Sequence, residues 1–286
     1  MKLYNTGDEQ VKPSVVMLVY GEGGVGKTTF ASTADKPIMA DCENGAKYFG
    51  LRGIKMDIAI IQKWADMREF LELARKDEYD TIVIDPIGEL MDKLKRFMVA
   101  TGDSKLAQKD GNPTMAGWGW LKKTMKDYLK ILRDTGKHVI LVAHIDELKD
   151  EDRIIKRPKI ETKLVDDIVN MVDIVAYMTV VKDDGEDKRV LFIDPSSDKY
   201  TAKDRTGRLG RIVEPDFKKI INAVQDVEDY AWSKKVEKVE VKIEAPKPMT
   251  TGTAKVAKVD TAKTKLEEAK NKVKESAKRK EEKSNG

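Results

Sequence analysis

Residues 21–28 read GEGGVGKT. A glycine, four residues and then Gly-Lys-Thr is the spacing of a phosphate loop. Glycines let the backbone curl until successive N–H groups converge on phosphate oxygens. A helix that starts at the loop adds the positive end of its dipole. Gly21, Glu22, Gly23, Gly24, Val25, Gly26, Lys27, Thr28 and Thr29 therefore form a candidate cradle for ATP. Lys27 would reach the β and γ phosphates, and the Thr28 hydroxyl would ligate Mg2+. The chemistry is nucleotide binding, with transfer of a phosphoryl group to water as the natural outcome.

A phosphate loop needs a second carboxylate to hold magnesium and its waters. Residues 81–85, TIVID, supply Asp85 at the end of a run of β-favouring residues. Asp85 and Thr28 are the metal ligands this pattern predicts. Hydrolysis also needs a group that orients or deprotonates water. The position after Asp85 is Pro86, so that group lies elsewhere. Glu43, in ADCENG behind the apolar segment PIMA, is the first candidate. Glu89, one helical turn into the next helix, is the runner-up, and a solvated loop glutamate is the plain alternative.

These residues need a sheet to carry them. Residues 15–20 (VVMLVY) form a continuous apolar run, as expected for a strand buried on both faces. A helix is expected from about Lys27, short strands at residues 37–41 and 58–61, and helical periodicity over 64–76. TIVID is the second buried strand, followed by a helix over 87–99. Residues 114–135 predict a long amphipathic helix, and 137–144 (KHVILVAH) a third buried strand. A polar loop should follow. Two further strands flank the turn DDGED, at 174–181 and 189–193, and a closing helix is expected over 216–230. Strands that alternate with helices imply an α/β fold with a mostly parallel sheet and helices on both faces.

The order GEGGVGKTT, ADCENG, TIVIDPIGEL, HVILVAHI resembles the RecA-like ATPase core. The resemblance covers about residues 11–230 and implies a three-layer P-loop NTPase domain. It gives Glu43 the role of water-positioning base and Asp85 that of the Walker B aspartate. It makes His144, at the end of the third strand, a sensor of the γ-phosphate; a histidine that merely caps the strand is the alternative. YTAKDRTGRLG, residues 200–210, is similar to the basic element that such proteins insert into a neighbour's ATP site. Lys203 and Arg205 match its two charges, against the alternative of a solvated basic loop. That match implies a homo-oligomer with ATP sites at subunit interfaces.

The same resemblance places two DNA-contacting loops. One is residues 101–120, glycine-rich, with Trp118 and Trp120. The other is residues 146–160, with Lys149, Arg153, Lys156, Arg157 and Lys159 diluted by five acidic residues. A basic loop with exposed aromatics holds single strands without sequence preference. The tryptophans have an equally plain reading as packing for the long helix.

The composition sets outer limits. The chain has 286 residues, 36% charged and 40% hydrophobic, with one cysteine and two histidines. One cysteine excludes an internal disulfide framework, and the set argues against structural zinc. Neither a signal peptide nor a membrane-length apolar run is visible, so a cytoplasmic protein without membrane contact is expected. Residues 233–286 hold 16 basic and 9 acidic residues and no Phe, Tyr or Trp, whereas the remainder holds 38 basic and 41 acidic. That segment cannot bury enough apolar area to fold alone and is expected to be a disordered tail. A thin stripe at Ala262, Leu266, Ala269, Val273 and Ala277 would suit a partner such as a single-strand-binding or other replication protein. Three parts follow: an arm at 1–13, the ATPase domain at 14–232, and the tail at 233–286.

The bare core and tail resemble phage-encoded RecA-like proteins of recombination and single-strand annealing. The expected activity is ATP hydrolysis with Mg2+ coupled to single-stranded DNA. The alternatives are a replication motor, meaning a helicase or its loader, and a nucleotide-dependent scaffold that binds a partner protein.

Overall fold

The computed structural model describes residues 13–150 and 153–225. Residues 1–12 of the expected arm at 1–13, the end of the closing helix and the tail lie outside the described residues.

The chain alternates strands and helices as its apolar pattern dictates. β1 (Val16–Gly21) runs into the glycine loop and α1 (Lys27–Ala31). β2 (Pro37–Asp41) leads to two short 3-10 turns, Gly45–Tyr48 and Gly50–Arg52, and then β3 (Asp57–Ile60) and α2 (Asp66–Ala74). β4 (Thr81–Asp85) passes straight into α3 (Ile87–Ala100). α4 (Met115–Arg133) follows; the Thr114 hydroxyl caps its first turn by accepting from the Gly117 N–H at 3.0 Å. β5 (His138–Asp150) and β6 (Arg153–Pro158) come next, then α5 (Thr162–Met171). β7 (Ile174–Asp183), β8 (Glu186–Phe192), β9 (Lys203–Asp204), β10 (Ile212–Val213) and α6 (Phe217–Gln225) complete the domain.

The strands order as β10-β8-β7-β1-β5-β4-β2-β3, with β6 paired to β5 and β9 to β7. The pairings from β3 across to β7 are parallel, and β8 and β10 close one side antiparallel. Alternate side chains of each central strand enter opposite layers. Leu18, Ile82, Ile84 and Leu141 pack with α2, α3, α4 and α5 through Phe70, Leu94, Leu129 and Ile168. Met17, Val19, Val83 and Ile140 pack on the other face with Phe30, Phe49, Phe217 and Ile220. This is the expected three-layer RecA-like core with a mostly parallel sheet. Among the described residues, no helix is long and apolar enough to cross a membrane.

Two expected loops take other forms. The polar loop expected after His144 is a β-ribbon, in which β5 continues to Asp150 and β6 returns antiparallel. Its acidic and basic residues face each other across the strands: Asp146 opposite Arg157 and Glu147 opposite Lys156, with Leu148 opposite Ile155. Opposite charges at facing positions favour pairing, so the charged residues build the ribbon instead of breaking it. The expected tryptophan loop is also different. Trp118 and Trp120 lie in the first turns of α4, partly buried against the core, with the Lys95 ammonium 5.6 Å from the Trp118 ring centroid.

His138 fastens the residue before β1 to the sheet. Its Nδ1 accepts the Val15 N–H at 3.1 Å, so the proton sits on Nε2, and the ring meets Phe217 edge-on at 5.9 Å. Burial holds its pKa below the ordinary 6.5. The folded form keeps the ring neutral, whereas the unfolded chain takes up a proton near 6.5. The stabilisation is complete above pH 6.5 and is lost as pH falls toward the depressed value. Urea midpoints at pH 7.5 and pH 5.5 should therefore differ more in the wild type than in His138→Gln; equal differences would remove this residue from the pH dependence.

Candidate active site

The phosphate loop sits where β1 meets β7 and β5. Gly21 pairs with Met178 on one side and His144 on the other. A Cβ on Gly21 would stand 2.2 Å from the Met178 carbonyl oxygen, so a side chain there would force the strands apart. Gly26 has φ 109°, the left-handed region that favours glycine, and it turns the loop into α1.

Lys27 is 7% exposed, and its ammonium donates to the carbonyls of Gly21 and Glu22 at 2.8 and 2.7 Å. Burial lowers its pKa, while the charges of Asp85, Glu22 and Glu43 oppose that shift. The cation is thus held on the loop it must serve, with nearby carboxylates balancing its charge.

Asp85 is the register partner of Asp41 across β2 and β4. Burial pushes its carboxyl up to about 6; the Asp41 and Glu43 charges add to this, and the Thr28 hydrogen bond and Lys27 work against it. Its Oδ2 is buried without a hydrogen-bond partner. An orphaned carboxylate oxygen beside a threonine hydroxyl fits a hard divalent cation with oxygen ligands. Thr28 and Asp85 are the residues that would hold Mg2+, which would neutralise phosphate charge when bound.

Glu43 and His144 meet across the top of the sheet. Glu43 Oε1 lies 2.9 Å from His144 Nε2, and both side chains are over a third exposed. They line one cavity of about 270 Å3 together with Lys27, Thr28, Asp41 and Asp85. Glu89, the runner-up base, stands in the first turn of α3 and does not line this cavity.

The structure does not bring Lys203 and Arg205 to the cavity. β9 pairs with the first residues of β7, Ile174 and Val175, at the end of that strand away from the phosphate loop. The Lys203 ammonium donates to the carbonyls of Val169, Asn170 and Val172, and Arg205 binds the Asp173 carboxylate at 3.0 Å and the Asn170 carbonyl at 2.8 Å. Carbonyls left over at a helix end attract cations, so both side chains close α5.

Three residues at the site are absent from the sequence expectation. Asp41 ends its strand as Asp85 does, a visible signal. Arg52 lines the cavity and donates to the Thr29 hydroxyl at 3.3 Å. Arg189, on β8, donates from Nε to the Val25 carbonyl of the phosphate loop at 2.9 Å. The last two arrive through turns and antiparallel pairing that no local pattern announces.

Fold and site together define a P-loop ATPase of RecA-like architecture. The chain belongs to the AAA domain family, whose profile matches residues 14–206. No curated protein matches it. Among solved structures it is similar to a KaiC-like protein from Pyrococcus horikoshii, at 14% identity over 63% of this chain and 78% of the other, TM-score 0.37. It is also similar to the flagellar accessory protein FlaH from Methanocaldococcus jannaschii, at 14% identity over 66% of this chain and 80% of the other, TM-score 0.34.

The site makes two direct predictions, both read by calorimetric ATP titration. Lys27→Ala should weaken ATP binding by about tenfold or more, because it removes a charge-assisted hydrogen bond to phosphate. Mg2+ should tighten ATP binding to the wild type but not to Asp85→Asn. An equal Mg2+ effect in both proteins would take Asp85 out of the metal site.

Proposed function

We propose that this chain hydrolyses ATP with Mg2+ and couples turnover to single-stranded DNA, in phage-type recombination or strand annealing. The observation that carries the hydrolysis is the Glu43–His144 contact at the cavity edge. Water attacks the γ-phosphorus, and the bond to the β–γ bridging oxygen breaks. Glu43 takes the proton of the attacking water, and phosphate leaves with ADP. His144 holds the Glu43 carboxylate in place and lies at the root of the ribbon, where the Lys159 N–H donates to its carbonyl at 2.8 Å. Lys27 stabilises charge on the phosphates as it moves toward the leaving group.

Glu43→Gln should bind ATP like the wild type and lose turnover by about 10²-fold or more, since it removes a general base. Phosphate release and nucleotide affinity measured on the same samples decide this. Unchanged turnover in Glu43→Gln would overturn the assignment of the base.

The DNA reading rests on the ribbon that rises from the same sheet edge. Two of its cations are engaged within the protein: Arg157 with Asp146 at 2.9 Å, and Lys156 with the Tyr177 hydroxyl at 3.0 Å. Lys149, Arg153 and Lys159 are exposed and are the candidates for phosphate contact. Replacing these three with Ala should flatten the log–log salt dependence of single-strand binding by about 0.7 for each phosphate that the variant no longer neutralises. If deleting residues 233–286 abolishes binding and the triple variant does not change it, tail electrostatics replace the ribbon as the DNA contact.

The proposal extends to a homo-oligomer with ATP sites between subunits, in which Lys203 and Arg205 would first have to leave α5. One observation favours a second reading. Leu148 and Ile154 are 40% and 52% exposed on the ribbon, which suits a nucleotide-dependent contact with a partner protein.

A further inference from the structure

Asp41 has no part in the sequence pattern of the phosphate loop, yet it is one of the most enclosed charged residues in the domain, 3% exposed. Its Oδ1 accepts the N–H groups of Glu43 and Gly45, each at 3.1 Å, and its Oδ2 accepts the Ala46 N–H at 3.0 Å. Three backbone donors converge on one carboxylate, the arrangement by which a nest holds an anion. Here the anion belongs to the protein. The turn closes because Asn44 adopts φ 58°, a conformation that asparagine tolerates better than most residues. The carbonyl of Asp41 accepts the Ile61 N–H, and the Cys42 N–H donates to the Asp85 carbonyl, so strands on both sides fix the base of the turn.

Glu43 is the second residue of that turn. Its side chain is exposed and touches the rest of the protein through His144. Its backbone has no strand or helix to hold it, and the Asp41 carboxylate performs that task. We infer that Asp41 is the positioning residue of the proposed ATPase site: its carboxylate fixes the turn that keeps Glu43 against His144 and in line with the γ-phosphate. This rests on the assignment of Glu43 as base. Asp41 is a poor candidate for the metal ligand itself, because both of its oxygens already accept backbone N–H groups, whereas the Asp85 Oδ2 accepts none.

Asp41→Asn puts an NH2 group where an acceptor must stand, so at least one of the three N–H groups loses its partner. The expected result is a fall in kcat of about 10²-fold, the size that a small misplacement of a reacting group produces, with nucleotide affinity retained. Combined with Glu43→Gln, Asp41→Asn should add almost nothing further, because it acts through the same group. Asn44→Val strains the turn from its exposed side, leaves the buried carboxylate intact, and should lower kcat in the same direction.

A readout independent of turnover is the 15N spectrum of the imidazole rings, simple in a chain with two histidines. The His144 signals of Asp41→Asn should move to the positions seen in Glu43→Gln, while those of His138 stay. Wild-type His144 signals in Asp41→Asn, alongside shifted ones in Glu43→Gln, would overturn the inference. So would reductions of kcat that multiply in the double variant. If Glu43→Gln keeps wild-type turnover, the hydrolysis assignment fails on its own, and the ring signals still decide whether Asp41 holds Glu43.

Discussion

Asp41 and Asp85 end adjacent strands side by side, in an interior where two like charges repel strongly. The protein treats the two differently. Asp41 receives backbone N–H groups on both oxygens. Asp85 receives a threonine hydroxyl on one side, keeps Oδ2 unpartnered, and has its carboxyl pushed up to about 6 by burial first and by its neighbours second. One carboxylate is thereby satisfied and structural, and the other is left in need of a cation. Lys27 stands nearby as a buried ammonium on loop carbonyls. The open carboxylate oxygen suits a divalent cation and the buried ammonium suits phosphate oxygens, and the rest of the site is arranged around the two.

The fold serves that arrangement by bringing strand ends to one edge. The aspartate strand β4 is not the neighbour of β1; β5 lies between them and places His144 between the phosphate loop and Glu43. Continuous apolar runs make these strands insensitive to solvent and rigid, so the polar residue at each end arrives at a fixed height. Tyr20, the residue before the loop, reaches the carbonyls of Lys156 and Thr201 with its hydroxyl, at 2.9 and 2.8 Å. The phosphate loop and the ribbon therefore share a direct contact in the core beneath them, alongside the His144 contact at the surface.

Much of this is legible in the sequence, for physical reasons. The glycine spacing, the TIVID strand and the ADCENG turn are local patterns, and each specifies its own backbone. The ribbon is not legible, because its partners are register pairs eleven and nine residues apart, Asp146 with Arg157 and Glu147 with Lys156, which no local pattern links. α5 is hidden although Leu164, Val165 and Ile168 have helical spacing, because the acidic residues around them read as loop. The basic spacing at Lys203 and Arg205 does not announce that both side chains also bond the carbonyls at the end of α5. Arg52 and Arg189 reach the site by tertiary routes that leave no trace in neighbouring residues.

The central claim is that the buried charges at the strand ends are a preset site for magnesium and ATP, and the most direct measurement of this is a crystal structure of the full chain with Mg2+ and a non-hydrolysable ATP analogue. In that structure the Lys27 ammonium should leave the carbonyls of Gly21 and Glu22 for the phosphates. Asp85 Oδ2 should gain a partner in the metal shell, and the three bonds to Asp41 should persist. A nucleotide bound away from the loop, with Lys27 still on Gly21 and Glu22 and Asp85 Oδ2 still unpartnered, would contradict the preset site.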